Sequence, residues 1–234
     1  RRTPASASNS RSFAAGAGAR VALIERDFMG GDCLNFGCVP SKSIIRSSRV
    51  FAELRDAAAL GWHIPAGVAA DFEAVMARMR RIRARLSPND SASRYRDEKG
   101  VDVFFGSARF TNETTLDVAG ATIRFRKALI ATGARPARLL IPGLAETGYL
   151  TNETVFNLTA RPNRLAVIGG GPVGSELAQA FCRLGSQVTL LEASDQVLVR
   201  EDPDAAAIVQ AAMGRDGVKV FVKCAIERFE RQNA

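Results

Sequence analysis

Two cysteines and three glycines carry the chemistry open to this sequence. Cys33 and Cys38 enclose Leu34-Asn35-Phe36-Gly37 and are followed by Val39-Pro40-Ser41-Lys42. In a regular helix that separation is a rise of about 7.5 Å, with the two side chains on different faces. A disulfide needs Cα atoms within about 7 Å. A bridge therefore requires a distorted segment, and Gly37 has the backbone freedom to make one. A helix beyond Pro40 would bring its positive end near Cys38 and favour a thiolate there, and Lys42 adds a cation. The residues alone leave other readings open: two buried free thiols, or half of a metal site, which would need more ligands than these two. Cys182 and Cys224 stand in apolar surroundings and read as small packing residues.

The glycines are Gly169, Gly171 and Gly174, in the run Gly169-Gly170-Gly171-Pro172-Val173-Gly174. They follow a buried strand at Leu165–Ile168 and open a helix. Glu192 ends the next strand, at roughly the 20-residue distance of a dinucleotide fingerprint. The first glycine allows the tight turn, the second lets backbone approach a pyrophosphate, and the third lets helix pack on strand. The free N–H groups of the helix start then face the phosphates. Glu192 can accept both ribose hydroxyls of an adenosine, and its charge repels a 2′-phosphate, which favours NADH over NADPH. The bland alternative is a glycine-rich helix start without a ligand.

The elements that must position these residues are legible from pattern. Strands are expected at 20–25, ending in Glu25, at 101–105, 108–110, 115–118 and 122–125, at 127–133, and on both sides of the glycine run. Helices are expected from Ser43 to about Leu60 and over 72–86, with a break at Ser87-Pro88-Asn89-Asp90. Residues 134–163 hold three prolines and read as a connector. Strand–helix–strand order with short apolar strands gives an α/β fold with parallel sheets covered by helices.

The 234 residues allow one large domain or two smaller ones. Four cysteines are too few for a disulfide-stapled secreted scaffold. No apolar run is long enough to span a membrane. The single histidine, His63, excludes a multi-histidine metal site and reads as a surface or packing residue. The net charge of +8 is concentrated in Arg1, Arg2, Arg11 and Arg20 and in Arg78, Arg80, Arg81, Arg83 and Arg85. Val75, Met79, Ile82 and Leu86 recur at helical spacing beside the second group, so a solvated amphipathic helix accounts for it without nucleic acid. Residues 1–19 read as a tail that is disordered or foreign to the rest.

GGDCLNFGCVPSK at 30–42 resembles the redox-disulfide signature of the FAD-dependent pyridine nucleotide–disulfide oxidoreductases. ALIATGARP at 128–136 resembles that family's second flavin-domain motif, and AVIGGGPVGSELAQAF at 166–181 its nicotinamide-domain motif. GYLTNETVFNL at 148–158, with the GGDCLN spelling, looks most like the mercuric-reductase-like branch. The resemblance implies two Rossmann-like domains, both incomplete here: part of an FAD domain over 20–150 and part of an inserted NAD(P) domain over 151–234. It implies that NAD(P)H binds at Gly169–Glu192, that hydride passes to FAD, and that electrons move on to a Cys33–Cys38 disulfide. Cys38 would be the flavin-side thiol and Cys33 the one that meets a small-molecule disulfide or a thiol-bound metal. Lys42 and Glu176 would lie beside the flavin, and Glu25 would hold its adenosine ribose. Gly31, Asp32, Gly106, Ala108, Ala131, Thr132 and Gly133 would complete the FAD contacts. A cytoplasmic homodimer is implied for the parent protein, with no resident metal, nucleic acid or membrane span.

The chain also departs from that family. The first flavin glycine loop should fall near positions 2, 4 and 7, where Arg2, Pro4 and Ala7 stand. The family's dimerisation domain, with its His–Glu pair, would follow Ala234, and His63 cannot take that role. The expectation is therefore a fragment that turns over little alone. Rival readings are a dihydrolipoamide dehydrogenase-like enzyme, a non-catalytic NAD-binding remnant, and a thiol-metal binder using Cys33 and Cys38.

Overall fold

The computed structural model describes residues 14–231. Arg2, Pro4 and Ala7, and most of the expected 1–19 tail, lie outside them. The chain groups into two compact units: Arg1–Val39 with Arg81–Arg135, and Pro40–Arg80 with Pro136–Ala234. Each unit is thus built from two stretches of chain.

In the first unit, β1 (Ala22–Glu25) pairs in parallel with β2 (Asp102–Phe105), Ala22 opposite Asp102 and Glu25 opposite Phe105. Their small core is Leu23, Tyr95 and Val101, with Tyr95 supplied by α4 (Ala92–Asp97). Ser91 caps that helix by accepting from the Arg94 N–H at 3.2 Å. A meander follows: β3 (Ala108–Asn112), β4 (Thr115–Val118) and β5 (Ala121–Arg124), all antiparallel. Leu116 and Val118 turn inward from β4.

One expected strand is absent. Lys127–Gly133 runs as irregular backbone, with Leu129 and Ile130 68% and 70% exposed. A strand exists through ladder bonds to a neighbour, and among the described residues no strand pairs with this segment.

The second unit is larger. β6 (Arg164–Ile168), β7 (Gln187–Leu191) and β8 (Lys219–Phe221) form a parallel sheet in the order β6-β7-β8. α6 (Pro172–Arg183) and α7 (Pro203–Arg215) connect the strands, as parallel pairing demands. Leu177, Ala178 and Phe181 fall on the buried stripe of α6, and Leu184 continues it. They join a core with Leu190, Met213, Phe156, Ile44 and Met76. Phe72 meets Phe181 with ring centroids 5.7 Å apart. Within the expected connector, α5 (Leu144–Thr147) and a short 3-10 turn at Val155–Asn157 are ordered, and Val155 and Phe156 are buried.

The helices bearing the motif residues begin earlier than pattern suggested. α1 (Gly31–Phe36) carries Cys33, and α2 (Cys38–Asp56) starts at Cys38 rather than Ser43. A 3-10 turn, Ala57–Leu60, then completes the expected span. α3 (Phe72–Leu86) matches its expected range, with the break at 87–90 formed as another 3-10 turn. The arginines of α3 are not all solvated. Arg78 donates to the Ser43 carbonyl and the Ser47 hydroxyl, Arg80 to the Leu158 carbonyl and Arg83 to the Asn35 carbonyl. His63 is exposed.

Candidate active site

Between α1 and α2 the chain breaks at Gly37, whose φ and ψ are −135° and −113°. A Cβ built there would stand 2.9 Å from the Asp32 carbonyl oxygen, so the close approach needs glycine. The break brings the two cysteines together despite their separation. Their thiols hydrogen-bond to each other, and the Cys38 backbone N–H donates to the Cys33 sulfur. Both are present as free thiols, Cys33 half-buried and Cys38 exposed at the start of α2. Burial, and then the neighbouring Cys38, push the Cys33 thiol up to about 11.

The rest of that loop is tied to its surroundings. Asn35 donates from Nδ2 to the carbonyls of Met29 and Gly31, at 3.1 and 2.9 Å. Asp32 accepts from the Ala134 N–H at 3.4 Å and lies against Gly133, whose φ is +73°. Ala131 and Thr132 are exposed on the same irregular segment.

Glu25 ends β1 and accepts from the Asp27 N–H at 2.9 Å. Its carbonyl takes the Gly106 N–H at 2.9 Å, just past β2, and Ala108 opens β3. Gly106 has φ +138°. An adenosine ribose fits the Glu25 carboxylate, whose second oxygen keeps its lone pairs. The positions expected for the flavin pyrophosphate lie outside the described residues.

In the second unit, Gly169 has φ +98°, a conformation that disfavours any side chain. A Cβ built at Gly174 would fall on the carbonyl oxygen of Gly169, so strand and helix approach as closely as the third fingerprint glycine requires. A Cβ built at Gly171 meets nothing within 4 Å, which leaves backbone open to a phosphate. Glu192 reaches back to this loop: Oε2 accepts the Gly170 N–H at 2.6 Å, and Oε1 the Ser194 N–H at 2.8 Å. The Ser194 N–H, with that of Gly170, holds the carboxyl below its usual range. A dinucleotide fits these residues.

Lys42 and Glu176 form an ion pair, Nζ to Oε1 2.6 Å. Sequence reasoning named both but had no signal that they pair. It also missed Asp216, whose side chain is 1% exposed. Asp216 takes Arg55 and Arg183, the latter at 2.8 Å, and accepts from Gln179 Nε2 at 2.7 Å. Its carbonyl accepts from Cys182 Sγ at 3.1 Å. These partners are remote in sequence, and no local pattern marks them. Among the described residues no group of three or more His, Cys, Asp or Glu side chains can hold a metal.

The family model described as pyridine nucleotide-disulphide oxidoreductase matches residues 4–234. The chain belongs to that family. Within the pyridine nucleotide-disulphide oxidoreductases it is 36% identical to mercuric reductase of Lysinibacillus sphaericus over 214 residues, 92% of this chain and 39% of that protein. It is 32% identical to dihydrolipoyl dehydrogenase of Bacillus subtilis (strain 168), over 93% of this chain and 48% of that one. Its fold matches the HOCl-induced flavoprotein disulfide reductase RclA from Escherichia coli with a TM-score of 0.78 and 31% identity, covering 93% of this chain and 47% of RclA. The chain spans less than half the length of these three oxidoreductases. The α/β, Rossmann-like architecture expected from sequence is that of the family. Among the described residues no helix is long and apolar enough to cross a membrane.

Proposed function

We propose that this chain is the dithiol- and nucleotide-bearing part of an NAD(P)H-dependent flavoprotein disulfide reductase of the mercuric-reductase-like kind. The observation that carries the reading is the Cys33–Cys38 thiol contact across the Gly37 break, in a chain that also holds a complete glycine fingerprint. In this reading residues 20–150 serve FAD and 151–234 serve NAD(P)H. Gly169, Gly171 and Gly174 cradle the pyrophosphate, and Glu192 orients the ribose and selects NADH. Glu25 holds the flavin adenosine, Gly106 and Ala108 flank it, and Gly31, Asp32, Ala131, Thr132 and Gly133 follow its length. FAD, when bound, supplies the two-electron carrier between the dihydropyridine and the sulfurs. Lys42, fixed by Glu176, provides positive charge beside it. Cys38 closes the bond to Cys33 in the oxidised state, and Cys33 hands electrons to a small disulfide or to thiol-bound Hg(II). The parent protein is a cytoplasmic homodimer.

The net reaction at the pair is balanced: NADH and one proton reduce the disulfide to two thiols and leave NAD⁺. The test is a thiol count on the oxidised chain, mixed anaerobically with FAD and NADH. Gain of two thiols, lost in Cys33→Ser, supports the reading; no gain despite bound FAD and NADH overturns it. Arg2, Pro4 and Ala7 stand where the family resemblance expects flavin-loop glycines, so this chain alone is expected to hold FAD weakly. A yellow protein at full occupancy would contradict that part.

A second reading is a nucleotide-binding module without turnover. The Glu192–Gly170 contact favours it, because the nucleotide site needs nothing from the dithiol loop. NADH binding without thiol gain supports it. Tight Hg(II) binding by flavin-free protein, lost in Cys33→Ser, would instead mark a thiol-metal binder.

A further inference from the structure

A long-range side chain whose charge the proposed chemistry has not used reaches the loop between the two cysteines. Arg83, on α3, donates from Nη1 to the Asn35 carbonyl at 3.3 Å. Asn35 stands inside the Cys33–Cys38 loop, in the last turn of α1, where carbonyls lack intrahelical donors. The side chain of Asn35 is already committed to Met29 and Gly31. Arg83 therefore fixes the residue from its other end. It is half-buried, and among the described residues it pairs with no carboxylate. Its guanidinium is thus a cation that no acid neutralises, held against the loop that carries both sulfurs.

We propose that Arg83 is a positioning residue for the Cys33–Cys38 pair, anchoring the loop through the Asn35 carbonyl and favouring the thiolate state by its charge. The inference rests on the reading of this pair as redox-active. A fixed cation lowers the energy of a nearby thiolate. A guanidinium suits the task because it does not lose its proton and its planar fork holds a carbonyl in one direction. Of the other groups that act on Cys33, the Cys38 thiol and the Asp90 carboxylate raise its proton affinity, and the Cys38 backbone N–H lowers it. Arg83 and Asp90 then pull the pair in opposite directions.

The experiment uses the 234-residue chain without flavin. Reduced protein is alkylated with iodoacetamide across a pH series, and labelling of Cys33 and Cys38 is read by mass spectrometry. A parallel sample is equilibrated in glutathione buffers, where the two thiols are oxidised to a bridge and one glutathione disulfide is reduced to two glutathiones. Arg83→Gln is expected to move the pair's alkylation profile upward by about 0.5–1 pH unit. Arg83→Lys, which keeps the charge, stays within about 0.3, and Asp90→Asn moves the profile downward. A folded Arg83→Gln with an unmoved profile overturns the assignment, since a merely structural arginine changes stability and not titration. If Arg83→Gln does not fold, Arg83→Lys decides: a profile that follows the parent protein supports the charge role, and one displaced as far as expected for the neutral variant overturns it. Failure of the parent protein to form the bridge in any glutathione buffer would overturn the redox reading itself, a result separate from either arginine outcome.

Discussion

Lys42 and Glu176 join α2 to α6 through one ion pair, Nζ to Oε1 2.6 Å. Lys42 lies one helical turn beyond Cys38, and Glu176 just over one turn beyond Gly171. The pair therefore ties the helix that starts at a cysteine to the helix that starts at the glycine run. Its side chains are 60% and 40% exposed, so solvent screens it. In a double-mutant cycle of Lys42→Met and Glu176→Gln, the coupling read from urea unfolding should stay below about 1 kcal/mol. Either substitution should nonetheless slow NADH-driven thiol release by more than about tenfold, the scale of a lost fixed charge at a reacting centre. A large stability loss with unchanged release would reverse that division.

Glu192 should show its role in two independent measurements. Its folded-state carboxyl is held low, chiefly by the Ser194 N–H. The stabilisation is therefore present above the ordinary glutamate value, about 4.3, and is lost as pH falls through the lower folded-state value. Glu192→Gln should cost about 1–2 kcal/mol at pH 7, and the gap should shrink in melts near pH 3. The same variant should bind NADPH more nearly as well as NADH. An unchanged preference would remove Glu192 from cofactor selection.

Cys38→Ser should make Cys33 more acidic. Burial remains in that variant, but the thiol hydrogen bond and the charge of Cys38 do not. The alkylation midpoint of Cys33 should fall from about 11 without reaching the value of a free thiol. A midpoint that does not fall would mean that burial alone sets it.

Asp216 predicts a stability effect remote from either motif. Its carboxylate is buried between Arg55 and Arg183 and also accepts from Gln179. Asp216→Ala leaves Arg183 without its carboxylate, while Arg55 keeps Asp56 at 2.8 Å, and should cost about 3 kcal/mol in urea unfolding. A loss under about 1 kcal/mol would show the network to be as weak as an exposed pair.

What sequence revealed follows the range of the forces involved. The fingerprint at Gly169–Gly174 was readable because its turn, its helix start and Glu192 are local consequences of residue type. Gly37 was readable for the same reason: a five-residue separation of sulfurs cannot close in a regular helix. The Lys127–Gly133 segment misled because its apolar run satisfies a strand pattern, while a strand also needs a neighbour to bond. The α3 arginines misled in the other direction. Their periodicity marks a polar face, yet Arg78, Arg80 and Arg83 spend their donors on carbonyls that only tertiary structure brings within reach. The start of α2 at Cys38 was hidden by Pro40, which a helix tolerates in its first turn.

The Glu192 carboxylate is oriented by the backbone N–H groups of Gly170 and Ser194, contacts made within the protein itself. The entropy of fixing an acceptor is thus lost once, during folding, rather than at each encounter. If Glu192 serves as proposed, a ribose arriving at the end of β7 finds its partner already aimed, and no slow rearrangement need gate its entry. Competing nucleotides would then differ in how long they stay far more than in how fast they arrive.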